Sequence, residues 1–107
     1  MSFADYQCSI SGGDGAKVEL RNTNLADTDE DGYIYVYLSI KGASKQMSVN
    51  VMVYCYDKWG NPYDAKSATV TYIPSGYGSR GMNEGSVRFK VEKGESYTFS
   101  VSDAQCR

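Results

Sequence analysis

The chain contains no histidine, and its 107 residues include only two prolines, three cysteines and one tryptophan. Without imidazole there is no Ser-His-Asp or Cys-His nucleophile pair and no histidine-ligated zinc. An enzyme would need paired carboxylates or an activated lysine, and no such constellation stands out. No catalysis is expected. Cys8, Cys55 and Cys106 lie too far apart for a zinc knuckle or a redox motif. No run approaches the roughly 18 apolar residues of a membrane span, so no membrane insertion is expected. The opening MSFADYQC lacks a basic segment followed by an apolar one, so no secretory signal is expected. The expectation is then a cytosolic protein, a mature form carrying an added Met, a protein exported by a route that leaves no such mark, or a virion protein made in the cytosol and working outside.

A strong charge of either sign is also missing. The net charge of −2 argues against a nucleic-acid partner. The sign is unevenly spread, however. Residues 1–32 carry seven acids against two bases, and residues 33–107 carry nine bases against six acids. Hydrophobic content of 41% with 22% charged residues is that of a globular protein, and the length suits one domain over 1–107 with a single core.

What is present is alternation. In YIYVYLSIK the apolar side is Ile34, Val36, Leu38 and Ile40, and in VNVMVYCY it is Val49, Val51, Val53 and Cys55. SVRFKVE, SYTFSVS, AKVELR, ATVTYI and ADYQCSI repeat the period of two, the last placing Tyr6, Cys8 and Ile10 on one face. No segment has a convincing helical period, so seven strands are predicted. The separators SGGDG, DEDG, KGAS, KWGNP, PSGYGSRGMNEG and KGES are turn chemistry. Segment 74–85 is the longest without a strand pattern. Seven strands with one apolar face each are satisfied by packing two sheets face to face. The expected fold is therefore a seven-stranded antiparallel immunoglobulin-like β-sandwich.

VNVMVYCYDKWGNPYDAKSATVTYIPSG resembles the middle of immunoglobulin-like domains of bacterial surface adhesins and phage structural proteins. The shared features are an alternating strand, then Asp57, Gly60, Asn61 and Pro62, then the Ala68-Thr69-Val70-Thr71 strand. KGESYTFSV, with Gly94, Tyr97 and Val101, is similar to a strand entry common in fibronectin-III-like sandwiches. The resemblance spans about half the chain and speaks to fold. It implies an extracellular surface or virion setting.

Three groups of residues are site candidates. In DTDEDGY, Asp27, Asp29 and Asp31 are spaced as the first calcium ligands of an EF-hand loop, with Tyr33 placed to give a backbone carbonyl. Leu38 stands where the bidentate Glu belongs, and strands flank the loop. The choice is between a weak calcium site and a solvated turn. The second group is a face of Tyr33, Tyr35 and Tyr37. If the strand at 49–56 pairs beside it, as the short KGASKQMS link suggests, Met52, Tyr54 and Tyr56 join the patch. Tyrosine-rich patches suit protein and sugar partners. Trp59, in a turn near Tyr63, is placed either to stack on a sugar or to cap the core. Third, Cys8 lies in the first predicted strand and Cys106 just after the last; terminal strands often neighbour one another in sandwiches, and a disulfide and three reduced thiols both stay open.

The expected role is a non-catalytic structural or adhesion module of a surface or virion. It would contact protein subunits, itself or a neighbour, through Tyr33, Tyr35, Tyr37, Tyr54, Tyr56 and the loops. The alternative is a carbohydrate-binding module in which Tyr and Trp59 stack on a glycan and calcium orders the acidic loop.

Overall fold

The alternating segments become strands in the computed structural model, which describes residues 6–22, 24–25, 28–76 and 80–107. In chain order these are β1 (Gln7–Ser11), β2 (Lys17–Leu20), β3 (Asn24–Leu25), β4 (Tyr33–Lys41), β5 (Met47–Tyr56), β6 (Pro62–Ile73), β7 (Met82–Lys90) and β8 (Tyr97–Cys106). The described residues include no helix, hence none long and apolar enough to cross a membrane.

Side-chain parity follows the pattern closely in β4 and β5. Ile34, Val36, Leu38 and Ile40 are buried from β4, and Met47, Val49, Val51, Val53 and Cys55 from β5. Each fully buried valine or isoleucine contributes about 1.5–3 kcal/mol of transfer free energy. Phe89 and Phe99 meet across the core with ring centroids 5.6 Å apart. In β1 only Ile10 is core, whereas Tyr6, just before the strand, is exposed. In β8 an irregularity in the ladder falls opposite Asn50–Met52, where Asp103 adopts φ 56°. Phe99 and Val101 precede this bulge, and Ala104 returns inside after it.

The strands do not form the expected sandwich. Seven of them close into a barrel in the order β1-β2-β4-β7-β6-β5-β8, and β8 returns to β1. Closure is a parallel pairing of Ile10 with Ala104 and Ser11 with Gln105. The two-residue β3 lies antiparallel against the other end of β8. Two local features explain why the sheet wraps.

The first is the link between β4 and β5. Gly42–Gln46 is short enough to read as a hairpin, yet β4 pairs with β2 and β7 while β5 pairs with β6 and β8. Five extended residues reach about 17 Å, comparable with the 18 Å thin axis of the flattened molecule. The link crosses the end of the barrel instead of turning back. The second is β7, which begins at Met82 inside the segment expected to be loop. Its first residues pair with β6 up to Val70↔Gly85, and from Leu38↔Gly85 onward it pairs with β4. Gly85 belongs to both ladders. A Cβ there would stand 2.5 Å from the Thr69 carbonyl oxygen and 2.9 Å from Val70 Cα, so only glycine allows the crossing.

Candidate functional site

Two surfaces carry the functional side chains. The first is the outer wall formed by β2, β4 and β7. Tyr35 and Tyr37 are 40% and 51% exposed, and Tyr33 is half-buried. Across the ladder Tyr33 faces Lys90, Tyr35 faces Arg88 and Tyr37 faces Ser86. The Arg88 guanidinium lies 4.4 Å from the centre of the Tyr33 ring and Lys90 Nζ 5.1 Å from it. The hydrogen bond between Arg88 and the Tyr35 side chain, with Tyr33 beside it, pushes the guanidinium pKa up, so the group stays charged. On the other flank β2 ends at Leu20, and the Asn22 side chain continues the ladder. Its Nδ2 donates to the Tyr35 carbonyl and its Oδ1 accepts from the Tyr37 amide, both at 2.9 Å.

Met52, Tyr54 and Tyr56 do not join this wall. They lie on β5, separated from β4 by β7 and β6 on one side and by β8, β1 and β2 on the other. Tyr56 is half-buried, and its hydroxyl accepts from Ser100 Oγ at 3.3 Å. The expected patch of five tyrosines is thus divided between two walls, because the β4–β5 link crosses the barrel.

The acidic loop is built around backbone hydrogen bonds. Asp29 Oδ1 accepts from the amides of Asp31 and Tyr33, both at 2.9 Å. The Tyr33 carbonyl, placed as a calcium ligand by the sequence, accepts from the Asp29 amide at 3.0 Å. Lys90 Nζ donates to the Asp31 carbonyl and Lys93 Nζ to the Glu30 carbonyl. These ammonium groups offset the charge of the loop. Asp27 lies outside the described residues, and among those described no three His, Cys, Asp or Glu side chains gather as a metal site.

The turn Asp57–Asn61 repeats this design. Asp57 Oδ1 accepts from the Trp59 and Asn61 amides at 3.0 and 2.8 Å, and Gly60 takes φ 83° where Gly32 takes 85°. The turn presents Trp59, 72% exposed, at the barrel mouth. There it borders the second surface, a cleft of about 220 Å³ lined by Lys58, Tyr63, Glu92, Glu95 and Tyr97 among others. Tyr63 and Tyr97 meet edge-on with centroids 5.1 Å apart. Burial, then Tyr97, push the Tyr63 phenol pKa up. The Tyr97 hydroxyl accepts from the Glu92 amide at 3.0 Å. Lys58 Nζ is 2.8 Å from Glu95 Oε2 and 4.7 Å from the Trp59 ring centre. Sequence reasoning singled out Trp59 but missed Glu92, Glu95 and the role of Tyr97. These three lie within one stretch, 92–97, that only the fold brings against Trp59 and Tyr63.

The cysteines occupy separate environments. β1 and β8 are neighbours, as expected, but in parallel register, and Cys106 comes level with Gly12, whose carbonyl accepts from its thiol at 3.5 Å. Cys8 lies four residues back, about 13 Å along the strand at about 3.3 Å per residue. Disulfide geometry requires Cα atoms within about 7 Å, so Cys8 and Cys106 are not bridged to each other. Cys55 is fully buried, and burial, with Asp64 and Asp57 nearby, pushes its thiol up to about 12.

Comparison with protein-family models, with curated proteins and with solved structures finds no match to this chain.

Proposed function

We propose that this protein is a non-catalytic binding module that contacts protein subunits through the β2–β4–β7 wall. One observation carries the reading: Tyr35 and Tyr37 stand exposed in mid-strand on a wall whose backbone is held on both flanks. Arg88 and Lys90 extend that surface with cations. Tyrosine and arginine suit such contact because they combine apolar area with hydrogen bonding at little cost in rotamer freedom. The wall needs no rearrangement to bind, since its rings are already positioned by the ladder and by the Arg88 contacts. The carbohydrate alternative is not supported on this wall, where Arg88 and Lys90 already stand over the Tyr33 ring.

The reading is tested with a photo-crosslinking amino acid placed at Tyr37 and, as a control, at Gln105, in cells that make the protein. Discrete protein adducts from position 37 that are absent from position 105 are expected. Their loss in Arg88→Glu is expected as well. Equal adduct patterns from the two positions would remove the proposal.

A further inference from the structure

The mouth cleft lies apart from the proposed contact wall and combines aromatic faces with negative charge. Trp59 and Tyr63 are exposed, Tyr97 forms the floor, and Glu92, Glu95 and Asp57 line the sides. Asp57 Oδ1 is committed to its turn. Among the described residues Lys58 is the single base in the lining, against Asp57, Glu92 and Glu95, so the cleft is net negative. An anionic guest would be repelled, and a neutral sugar would bury carboxylates without answering their charge. A compact cation meets both features, because it is attracted to the face of an indole and to a carboxylate. The molecule itself shows the arrangement: the Lys58 ammonium sits over Trp59 while touching Glu95.

We infer that the cleft is a binding site for an alkylammonium group, the end of a lysine side chain on a partner protein, with Lys58 as its resident competitor. The volume, about 220 Å³, is below the roughly 300–1,000 Å³ of pockets for drug-sized ligands and suits a side-chain head. Lys58 and Glu95 are both nearly half exposed, so their pair is weak in water and yields to an incoming cation. Binding exchanges one ammonium for another without opening the core. The turn that fixes Trp59 through Asp57 keeps the indole in place during the exchange.

Trp59 is the sole tryptophan, so its fluorescence reports directly on the cleft. The wild type and Lys58→Gln are titrated with N-acetyl-lysine methylamide, its ε-trimethyl form, the neutral N-acetyl-norleucine methylamide (the lysine side chain without its ammonium group), free ethylammonium and maltohexaose. Saturable signals are expected for both lysine derivatives and not for the norleucine compound. Lys58→Gln should tighten them by about three- to tenfold, as expected when an internal competitor that holds most of the population is removed. A Glu92→Gln/Glu95→Gln variant that melts like the wild type should lose the response. Ethylammonium weaker than the lysine derivative supports a side-chain guest; ethylammonium of equal strength overturns that choice. An equal norleucine response, a response to maltohexaose alone, or no tightening in Lys58→Gln would overturn the ammonium site. None of these outcomes bears on the β4 wall, whose crosslinking test stands separately.

Discussion

Cys55 shows how little of a residue's chemistry follows from its type. It sits inside β5 in the same row as Val49, Val51 and Val53, and it is as buried as they are. Desolvation penalises the thiolate, which is why the thiol is pushed up to about 12 from the ordinary 9.0. Two consequences follow for one side chain. At pH 8 the folded protein should leave Cys55 unmodified by a disulfide reagent, while half-buried Cys106 reacts. The second consequence concerns stability. Above about pH 9 the unfolded chain releases the Cys55 proton and the folded chain keeps it, so stability falls with rising pH. The slope from this group is about 1.4 kcal/mol per pH unit until about pH 12. Tyrosines and lysines titrate in the same range, so the measurement is a difference: urea unfolding from pH 8 to 11 for the wild type and Cys55→Val. The valine variant should lose stability less steeply, and parallel curves would remove the assignment.

At the scale of elements, β4 organises one side of the barrel, and two asparagines extend its ladders where the neighbouring strands leave. Asn22 does this toward β2. Asn83 does it toward β7, accepting from the Ile40 amide at 2.7 Å and donating to the Ile40 carbonyl at 2.8 Å. The reason is geometric. Beyond Gly85, β7 is drawn to β6, where Asn83 pairs with Tyr72, so its backbone no longer reaches Ile40. The side chain spans the gap and supplies one donor and one acceptor. Asn83→Ala should therefore cost about 1–3 kcal/mol, since it leaves two polar groups of a buried residue without their partner. Asn83→Asp keeps the acceptor but loses the donor, and should be comparably destabilised at pH 7. It should recover part of the loss near pH 4, as the carboxyl protonates and can donate again. Chemical denaturation at the two pH values checks this. Such seams also mark the limit of sequence reading. Alternation in β4, β5 and β8 gives strand identity and the core face, because it depends on nearest neighbours only. The staples made by Asn22 and Asn83 join residues 13 to 43 positions apart, and nothing local to NTN or MNEG announces them. The acidic loop is the converse case. Asp29 looks like a ligand by spacing, yet the same spacing serves an Asp that holds its own turn, as Asp57 shows at the second turn.

For the whole molecule, the difference between sandwich and barrel rests on one short contact, the parallel pairing of β1 with β8. Neighbouring terminal strands were legible in the sequence; their register was not, since it depends on the crossing link at Gly42–Gln46 and on the shared Gly85. Register determines which residues can be joined. A Cβ built at Gly12 lies 3.8 Å from Cys106 Cβ, and this is the mean separation in natural disulfides, about 3.8 Å. Gly12→Cys, in a Cys8→Ser background, should therefore oxidise to a bridge with Cys106 that the native Cys8 does not make. The bridge would close a loop of nearly the whole chain, and the loop-entropy model assigns this about 4–5 kcal/mol. Gly12 adopts φ 79°, so a side chain there costs about 1–2 kcal/mol in left-handed strain. The oxidised variant should then exceed the wild type by roughly 2–4 kcal/mol, and the reduced variant should fall below it. Thiol titration and denaturation with and without reductant measure both. If the oxidised and reduced forms unfold at the same denaturant concentration, β1 does not close the barrel against β8, and the molecule is an open sheet along that edge.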